Sequence, residues 1–359
     1  MSSLWRILAL ALVAAFYRSG RIQLYLDDTV FHKTGRKMEG AGWHRDAVRS
    51  TAKETVHAFG LKLAVLSIRV NPPWGGEPLS LPVNMRLYRK GGRNLIELAH
   101  DAVCEVASWF EDRLFDLCAD GFYFSLAGYP LERISFTCRM RKDAALYEPA
   151  PRREEGQRGR PRKKGKRLPS LEDMAASGVW WKHAAVDERG KERERLLFWR
   201  KVLWYGVCPD RQVLLVISRD PTGKEKDDCF FTTNLSAFPE EVVYRYSGRW
   251  SIEDTFRNTK QHLGGQEPQT WKGEGPERVA AFSFFLYSAI WLWYIQAMGT
   301  KISWIPLPWY PKKKNPSFID ALASLRRVLW RRVIFPTSRY GPLPDKIADT
   351  LIHVLSRAA

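Results

Sequence analysis

One late segment of the chain reads Tyr246-Ser-Gly-Arg-Trp-Ser-Ile-Glu-Asp-Thr-Phe-Arg-Asn-Thr-Lys260. An α-helix turns by roughly 100° per residue, so on one helix four of its polar side chains would share a face about 60° wide. These side chains are Tyr246, Arg249, Glu253 and Lys260. Beside them an apolar stripe of Ile252, Phe256 and Leu263 predicts a side that packs against a core.

The ends of this predicted helix carry recognisable signals. Pro239-Glu-Glu241 favours a helix start, since proline suits the first turn and acids suit the positive end of the helix dipole. Gly264 favours its end. Gly248 costs up to about 1 kcal/mol relative to alanine and is a candidate break, which would loosen the placement of Tyr246 relative to the other three side chains. An ordinary surface helix with an i,i+4 pair of Arg249 and Glu253 is the alternative to a functional face.

The first candidate acid follows an early strand. Ile22, Leu24 and Leu26 alternate with more polar neighbours, which indicates a strand, and the strand runs into Asp27-Asp28-Thr29. Alternation places Asp27 on the face opposite the three apolar residues. Asp28 remains a second candidate for the same role.

The next elements bring a second acid. Strands are predicted at 61–70 and 79–88, a helix at 94–110 and a strand at 114–118, which ends in Ala119-Asp120-Gly121-Phe122. An RNase H-like fold has this order, with its first acid on the first strand, its second just after the fourth, and its third on a late helix. We therefore predict an α/β protein: an RNase H-like mixed sheet with flanking helices, interrupted by a β-rich insertion.

Asp27, Asp120 and Glu253 are the three carboxylates that such a sheet would bring together. Their oxygens are hard ligands that suit Mg²⁺ or Mn²⁺. Two ions about 3.5–4 Å apart would activate an attacking oxygen and stabilise the leaving one during phosphoryl transfer. Arg249 and Lys260 would hold phosphates near them, and Tyr246 would bond a phosphate or pack against a sugar.

The charge balance points to a polyanionic partner. The chain has 57 Lys and Arg against 39 Asp and Glu, a formal net charge of +18, and nucleic acid is the first expectation. Its five cysteines form no CxxC pair, which favours free thiols in a reducing compartment and no zinc site. The apolar runs at 7–16 and 279–295 are interpreted as buried helices, so no membrane partner is expected.

A strongly basic segment divides the chain. Residues 152–167 contain nine cations and two acids. Arg158 and Arg160, in Arg-Gly-Arg-Pro, resemble short hooks that enter the minor groove of DNA, although phosphate contact or plain solvation would also suit them. Strand-like runs follow at 179–186, 196–207 and 213–217 and predict a β-rich insertion, and a further run at 229–234 predicts a return to the main sheet.

Four regions follow from this pattern. Residues 1–141 are predicted to begin the catalytic core, 142–227 to form the basic loop and insertion, 228–300 to complete the core with the third acid, and 301–359 to form a basic helical region. In the last region a helix at 317–333 is expected, with arginines on its outer side.

These motifs resemble the DDE transposases of bacterial insertion sequences, in the group marked by Y-(2)-R-(3)-E-(6)-K. Tyr246, Arg249, Glu253 and Lys260 stand at that spacing. The group's first acid usually appears as D-x-T and its second as D-G/R-x-Y/F. Asp27-Asp28-Thr29 and Asp120-Gly-Phe-Tyr123 match these patterns. The resemblance spans roughly residues 20–335 and includes the β-rich insertion.

The resemblance implies an endonuclease and strand transferase. It would cut the terminal inverted repeats of an insertion sequence with two Mg²⁺ or Mn²⁺ ions and join them to double-stranded target DNA, as a homodimer in the bacterial cytoplasm at the nucleoid. Only 26 residues precede Asp27, so the usual N-terminal domain that binds the transposon ends is expected to be missing. The alternatives are a non-catalytic DNA-binding remnant and an RNase H-like nuclease without strand transfer.

Overall fold

The structure is a computed structural model that describes residues 1–46, 49–51, 53–151, 159–177, 181–298, 311–334 and 345–357. The helices in this part of the chain are α1 (Ser2–Phe16), α2 (Leu95–Ser108), α3 (Leu171–Ala176), α4 (Pro239–Ser247), α5 (Ser251–His262), α6 (Gly275–Met298), α7 (Phe318–Leu329) and α8 (Asp345–Arg357). A short 3₁₀ turn, Gly121–Gly128, lies between α2 and α3, and a second one, Gly248–Trp250, joins α4 to α5. A π-helical turn, Trp330–Ile334, extends α7.

Ten strands of the described residues form one sheet. They are β1 (Ile22–His32), β2 (Gly42–Arg45), β3 (His57–Val70), β4 (Leu79–Tyr88), β5 (Phe115–Ala119), β6 (Ile134–Arg139), β7 (Lys182–Glu188), β8 (Lys191–Val202), β9 (Val213–Arg219) and β10 (Asp228–Thr232). The strand order is β2-β3-β1-β5-β6-β10-β9-β8-β7, and β4 also pairs with β3. Strands β5 and β6 run parallel to β1, whereas β3 and β4 form an antiparallel meander with it. This is the predicted mixed α/β, RNase H-like architecture.

Helices cover the first half of the sheet because its strands are apolar on both sides. Helices α1, α2, α5 and α6 all contact β4, which is buried along most of its length. A capping box of Asn94 and Glu97 begins α2, with the Asn94 side chain accepting a hydrogen bond from the Glu97 amide at 2.9 Å. The helix then buries Ala99, Val103 and Val106.

Helix α6 is a core helix. It is the one helix in the described ranges long and apolar enough to cross a membrane, yet 56% of its most apolar window is buried inside the protein. Its Phe284, Trp291 and Tyr294 are all at most 2% exposed, and the Ser288 hydroxyl donates to the Pro82 carbonyl at 2.8 Å. The sequence-based interpretation of this run as a buried helix agrees with this packing.

The strands of the predicted insertion continue the central sheet. Strand β10 pairs with β6 on one side and with β9 on the other, and β8 and β7 extend the sheet to its far edge. Helix α4 covers this half and closes a second apolar cluster that includes Val216, Phe230, Val243 and Tyr246.

The predicted single helix from Pro239 to Gly264 is broken. Helix α4 ends at Ser247, the residues Gly248–Trp250 form a 3₁₀ turn, and α5 begins at Ser251. A Cβ atom at Gly248 would lie 2.2 Å from the Tyr25 hydroxyl oxygen, so only glycine allows β1 to approach this closely. The break therefore comes from a tertiary contact with the first strand.

Candidate active site: carboxylates around a buried arginine

The sheet register brings the first two candidate acids together. The parallel ladder of β1 and β5 ends at the pair Leu26 and Ala119, so Asp27 and Asp120 are the next residues on neighbouring strands. Beyond this point β1 continues to His32, paired with β3 alone, whereas β5 stops. Asp120 instead caps the following 3₁₀ turn, where its carboxylate accepts from the Phe122 amide at 3.4 Å.

Arg249 contacts both of these acids. Its Nη1 donates to Asp27 Oδ2, and its Nη2 lies 3.7 Å from Asp120 Oδ1. The residue is only 4% exposed. Burial acts to lower the pKa of Arg249, but Asp27, Tyr246 and Asp120 outweigh it and the net pKa is raised, so the guanidinium keeps its charge.

The environments of the two aspartates differ. The Asp27 side chain is 16% exposed and that of Asp120 is 45% exposed. Burial raises the pKa of Asp27 to about 7; the Arg249 charge opposes this rise, and the neighbouring Asp28 and Asp120 add to it. Asp27 is therefore a buried carboxylate that depends on a nearby cation to remain ionised.

Glu253 enters the same site from the first turn of α5. Asp120, Arg249 and Glu253 line one cleft of about 700 Å³. Burial raises the pKa of Glu253, the nearby cations Arg249 and Arg189 lower it, and the acids Asp254 and Asp120 raise it further. Glu253 is thus within electrostatic range of both Arg249 and Asp120.

Asp27 and Asp120 contact Arg249, whereas Glu253 is exposed at the wall of the same cleft, so the three acids do not form a closed ligand set. Within the described ranges, no group of three or more His, Cys, Asp or Glu side chains is arranged to hold a metal ion. The chemistry of the donors nevertheless suits a hard divalent cation, because all three are carboxylates and one is buried. In this arrangement the guanidinium supplies the positive charge that holds Asp27 and Asp120 in register.

Asp28, the alternative first acid, faces other partners. Its Oδ2 lies 3.1 Å from Lys62 Nζ, and its Oδ1 accepts from the Tyr123 hydroxyl at 3.1 Å. Alternation along β1 separates its side chain from that of Asp27. The geometry therefore favours Asp27 as the acid beside Asp120.

The other two residues of the helix motif lie further from the acids. Tyr246 is 6% exposed and packs on Phe230 with 4.6 Å between ring centroids, so its role in the structure is mainly that of a core residue at the cleft wall. Lys260 lies two turns along α5 from Glu253. Burial lowers the pKa of Lys260, and the charge of Asp46 opposes this shift.

The basic loop is only partly described. Arg158 lies outside the described residues, and Arg160 is exposed. The end of the loop is anchored to the sheet region, because the Glu148 amide donates to the Lys166 carbonyl at 2.9 Å and Tyr147 bridges to Arg167 and Leu203. Lys164 lies 3.9 Å above the ring of Tyr147. This half of the loop is therefore attached to the protein, although a fully solvated or DNA-bound loop was expected.

The cleft contains further basic residues that the motifs did not indicate. Arg139 on β6 and Arg189, Arg193 and Arg195 from the hairpin of β7 and β8 line it together with Trp250. Arg189 lies 5.6 Å from the Trp250 ring centroid and is the insertion residue whose charge reaches Glu253. Their only signal in the sequence was the alternating charge of the segment from Glu188 to Arg195.

Comparison with known families gives one match. A family model described as "Transposase DDE domain" matches residues 79–292, which is more than half of the chain. The matched segment contains Asp120, Arg249, Glu253 and Lys260, whereas Asp27 precedes it. No curated protein matches the sequence.

Proposed function

The chain belongs to the family of transposases with a DDE domain, and from this premise we propose that it cuts DNA at transposon ends and transfers the cut strand into target DNA. Membership supports a DNA-processing enzyme in general. The particular reaction is our inference from the residues of the site. We assign the catalytic and metal-binding roles to Asp27, Asp120 and Glu253.

One observation carries the proposal. Asp27 and Asp120 follow the last parallel pair of β1 and β5, and a single buried arginine beside Glu253 contacts both. A surface ion-pair helix would have no reason to insert its arginine between two acids of the sheet. The contact instead links the third-acid helix to the two strand positions where an RNase H-like site is expected.

DDE transposase domains generally use divalent metal ions, and Asp27, Asp120 and Glu253 would hold Mg²⁺ or Mn²⁺ in this chain. When bound, two such ions would activate the attacking oxygen and stabilise the leaving one. The protein itself supplies position and charge. Arg249 holds the two aspartates in register. The arginines along the cleft would contact the phosphates of a DNA strand, and most of them pair with acids of the same cleft in the free protein.

The proposed partners are the terminal inverted repeats of an insertion sequence and double-stranded target DNA. A net charge of +18 favours such partners, and exposed Arg160, together with Arg158, would add contacts to the DNA backbone. We keep the predicted phosphate contacts of Arg249 and Lys260 and the sugar or phosphate contact of Tyr246 as part of the proposal. Because Arg249 and Tyr246 are buried, DNA would reach them only from the cleft that both residues line. The active complex would be a homodimer that pairs two ends in the bacterial cytoplasm, at the nucleoid.

The proposal is tested by nicking of labelled element ends with Mg²⁺ or Mn²⁺. Wild type is expected to nick, and Glu253→Gln and Asp120→Asn are each expected to lose at least about a hundredfold in rate while still binding DNA. Asp254→Asn, the neighbouring acid that lies outside the acid cleft, serves as the matched control and should retain nicking. A donor with a free 3′-OH should then yield a joined product.

Each alternative has its own outcome. Nicking without any joined product would support a plain nuclease and contradict strand transfer. DNA binding without nicking in wild type would support a non-catalytic remnant. Equal nicking by wild type and Glu253→Gln would overturn the assignment of the site.

A further inference from the structure

A second, smaller cavity lies where the insertion meets the core. The turn between β3 and β4 approaches the turn between β7 and β8, and the space between them measures about 200 Å³. A water molecule accounts for about 30 Å³ of liquid and drug-sized sites begin near about 300 Å³, so this cavity suits a small group. Its walls include Arg69, Asn71, Arg189 and Tyr244.

Arg69 is a buried charge without an acidic partner. It is 4% exposed, its Nη1 donates to the Gln23 side-chain oxygen, and its Nη2 donates to the Tyr244 hydroxyl. In the described part of the chain no carboxylate lies within ion-pair distance of it, and its Nε is buried without a hydrogen-bond partner. Burial of a charged group is costly unless a counter-charge compensates for it.

The other buried arginines of the described residues each have such a partner. Arg195 is 8% exposed and pairs with Glu188 and Glu225, and Arg249 is 4% exposed and pairs with Asp27. Arg69 has only neutral partners and the face of the Tyr244 ring, 4.3 Å from its guanidinium carbon. It is thus the exception among the three, and it borders a cavity.

The two turns that enclose the cavity are in close contact. A Cβ atom at Gly190 would lie 2.7 Å from the carbonyl carbon of Gly76, and both glycines have positive φ angles, +76° and +84°. Arg189, the residue before Gly190, adds a second guanidinium at the wall and pairs with Glu77 at 3.4 Å. The acid among the wall residues is Asp187, whose Oδ1 accepts from the Gly190 amide at 2.7 Å.

We propose that this cavity binds a phosphate group, with Arg69 as its buried counter-charge and Arg189 at its rim. Arg189 and Ser247 line both this cavity and the cleft of Asp120 and Glu253, so the two sites are adjacent. The phosphate is either a phosphodiester of a DNA strand bound in that cleft or a free phosphate ion. This binding goes beyond the proposed reaction, since it needs neither metal nor cleavage.

The test measures inorganic phosphate binding to the full chain by calorimetry and by thermal shift. Wild type is expected to bind phosphate and to gain thermal stability from it. Asn71→Asp places a carboxylate at the cavity on an exposed loop residue, so folding should be unaffected and phosphate affinity should fall about tenfold or more. Gln261→Glu makes the same charge change on an exposed residue of a different cleft and should leave the affinity unchanged.

Arg69→Met is the second variant. It is expected to abolish phosphate binding and to remain folded, because it removes the buried charge and leaves no unpaired carboxylate behind. If it does not fold, Asn71→Asp decides the question alone. The proposal is overturned if wild type does not bind phosphate, or if Asn71→Asp binds it as tightly as wild type and Gln261→Glu do.

A competition experiment identifies the source of the phosphate. Displacement of phosphate by a short DNA strand supports a phosphodiester, and simultaneous binding of both supports a free ion; either result is consistent with the cavity. Failure of the cavity and failure of the proposed reaction are distinguishable. Wild type that nicks DNA without binding phosphate contradicts the cavity alone, and wild type that binds phosphate in an Asn71-sensitive way without nicking contradicts the reaction alone.

Discussion

At the scale of single residues, Arg249 determines the state of the acid site. Its guanidinium is almost fully buried and contacts carboxylates from two strands. An arginine in this position offsets the repulsion between Asp27 and Asp120 when no other cation is bound. The same residue has a structural and a functional role, and its substitution should therefore affect folding as well as catalysis.

Arg249→Gln is expected to lower the free energy of unfolding by about 3–5 kcal/mol, because it leaves the buried Asp27 carboxylate without its partner. Asp27→Asn should relieve this cost, so the double variant should lose less than the sum of the two single losses, by roughly 0.5–3 kcal/mol. Urea unfolding in metal-free buffer measures the free energy of unfolding of the two single variants and the double variant. Arg257→Gln breaks an exposed pair with Asp254 on α5 and should cost at most about 1 kcal/mol. Strictly additive losses would contradict the contact between Asp27 and Arg249.

We expect His44, a buried residue outside the acid cleft, to give the stability a pH dependence of its own. It is 8% exposed, and burial lowers its pKa; Lys62 and Lys90 lower the pKa further, while a hydrogen bond with the Gly60 backbone and the charge of Asp28 raise it. The unfolded chain, with an ordinary histidine pKa near about 6.5, therefore binds the proton more readily than the folded one.

As the pH falls below about 6.5, the His44 contribution should reduce the free energy of unfolding, because the unfolded state takes up a proton that the folded state resists. His44→Gln should show a shallower loss of stability between pH 7 and pH 5, measured by urea unfolding at each pH. His183→Gln, at an exposed position on β7, should keep the slope of wild type. A His44→Gln slope equal to that of wild type would refute this account.

At the scale of elements, the break between α4 and α5 places Arg249. The 3₁₀ turn Gly248–Trp250 lies against β1, and the absence of a side chain at Gly248 permits the contact with Tyr25. The turn therefore aims Arg249 at the acids of the sheet and begins a new helix with Glu253 in its first turn. A continuous helix would place these side chains differently.

Gly248→Ala should cost about 1–3 kcal/mol and reduce nicking, because its Cβ atom would displace the Tyr25 hydroxyl. That hydroxyl is buried without a hydrogen-bond partner among the described residues, so Tyr25→Phe alone should be nearly neutral. The double variant should recover stability and nicking, as measured by thermal unfolding and the labelled-end assay. Gly206→Ala serves as the control, because a Cβ atom added at Gly206 would meet no neighbouring atom within 4 Å. No recovery in the double variant would show that the clash is not the cause.

Elements with strong local sequence signals were predicted, whereas elements that depend on tertiary contacts were not. The strand Leu79–Tyr88 was predicted with the bounds that the structure has, because its alternation and its flanking turns are local signals. Strand β6 was not predicted, since Ile134–Arg139 is a short interior strand without clean alternation. Gly248 was marked in the sequence as a candidate break, and the helix does break there. The cause of the break was not predicted, because Tyr25 is distant in the sequence.

The candidate site was predictable for a similar reason, but only in part. Asp120 after a strand end and Glu253 on a late helix were singled out from local patterns, and both positions are as expected. Asp27 was expected at a strand end as well, but it lies inside β1, which continues to His32 through its pairing with β3. The position of Arg249 between the acids depends on the register of β1 and β5 and on the break at Gly248, and neither is encoded in a local pattern. The roles of all the predicted site residues, Lys260 and Arg158 included, stay predictions.

At the scale of the whole molecule, charge should dominate the binding of DNA. The formal net charge of +18 predicts a steep dependence of affinity on salt. A protein that makes six to ten phosphate contacts loses about 10³–10⁵ in affinity between 50 and 200 mM salt. Affinity for a DNA duplex of random sequence, measured by fluorescence anisotropy across this range, is expected to fall in that way.

Arg160→Gln refines this prediction. If Arg160 contacts a phosphate, the variant should lose affinity equally for A·T-rich and G·C-rich duplexes, and the slope of log affinity against log salt should become about one unit shallower. If it enters the minor groove, the loss should be greater for A·T-rich DNA. An unchanged slope and unchanged affinity for both duplexes would remove Arg160 from the interface.

The continuity of the sheet through β6 and β10 also has a consequence for the order of folding. Strands β7 to β10 pair with sequence neighbours, so they can form early as a local meander, whereas the ladder between β6 and β10 must close a long loop. Docking of this meander brings α4, and with it Arg249, against the first strands. In a refolding experiment, we expect the β10 amides that pair with β9 to gain protection from hydrogen exchange before the β6 amides do. Each half of the sheet would then form by itself first, and the acid site would be assembled last.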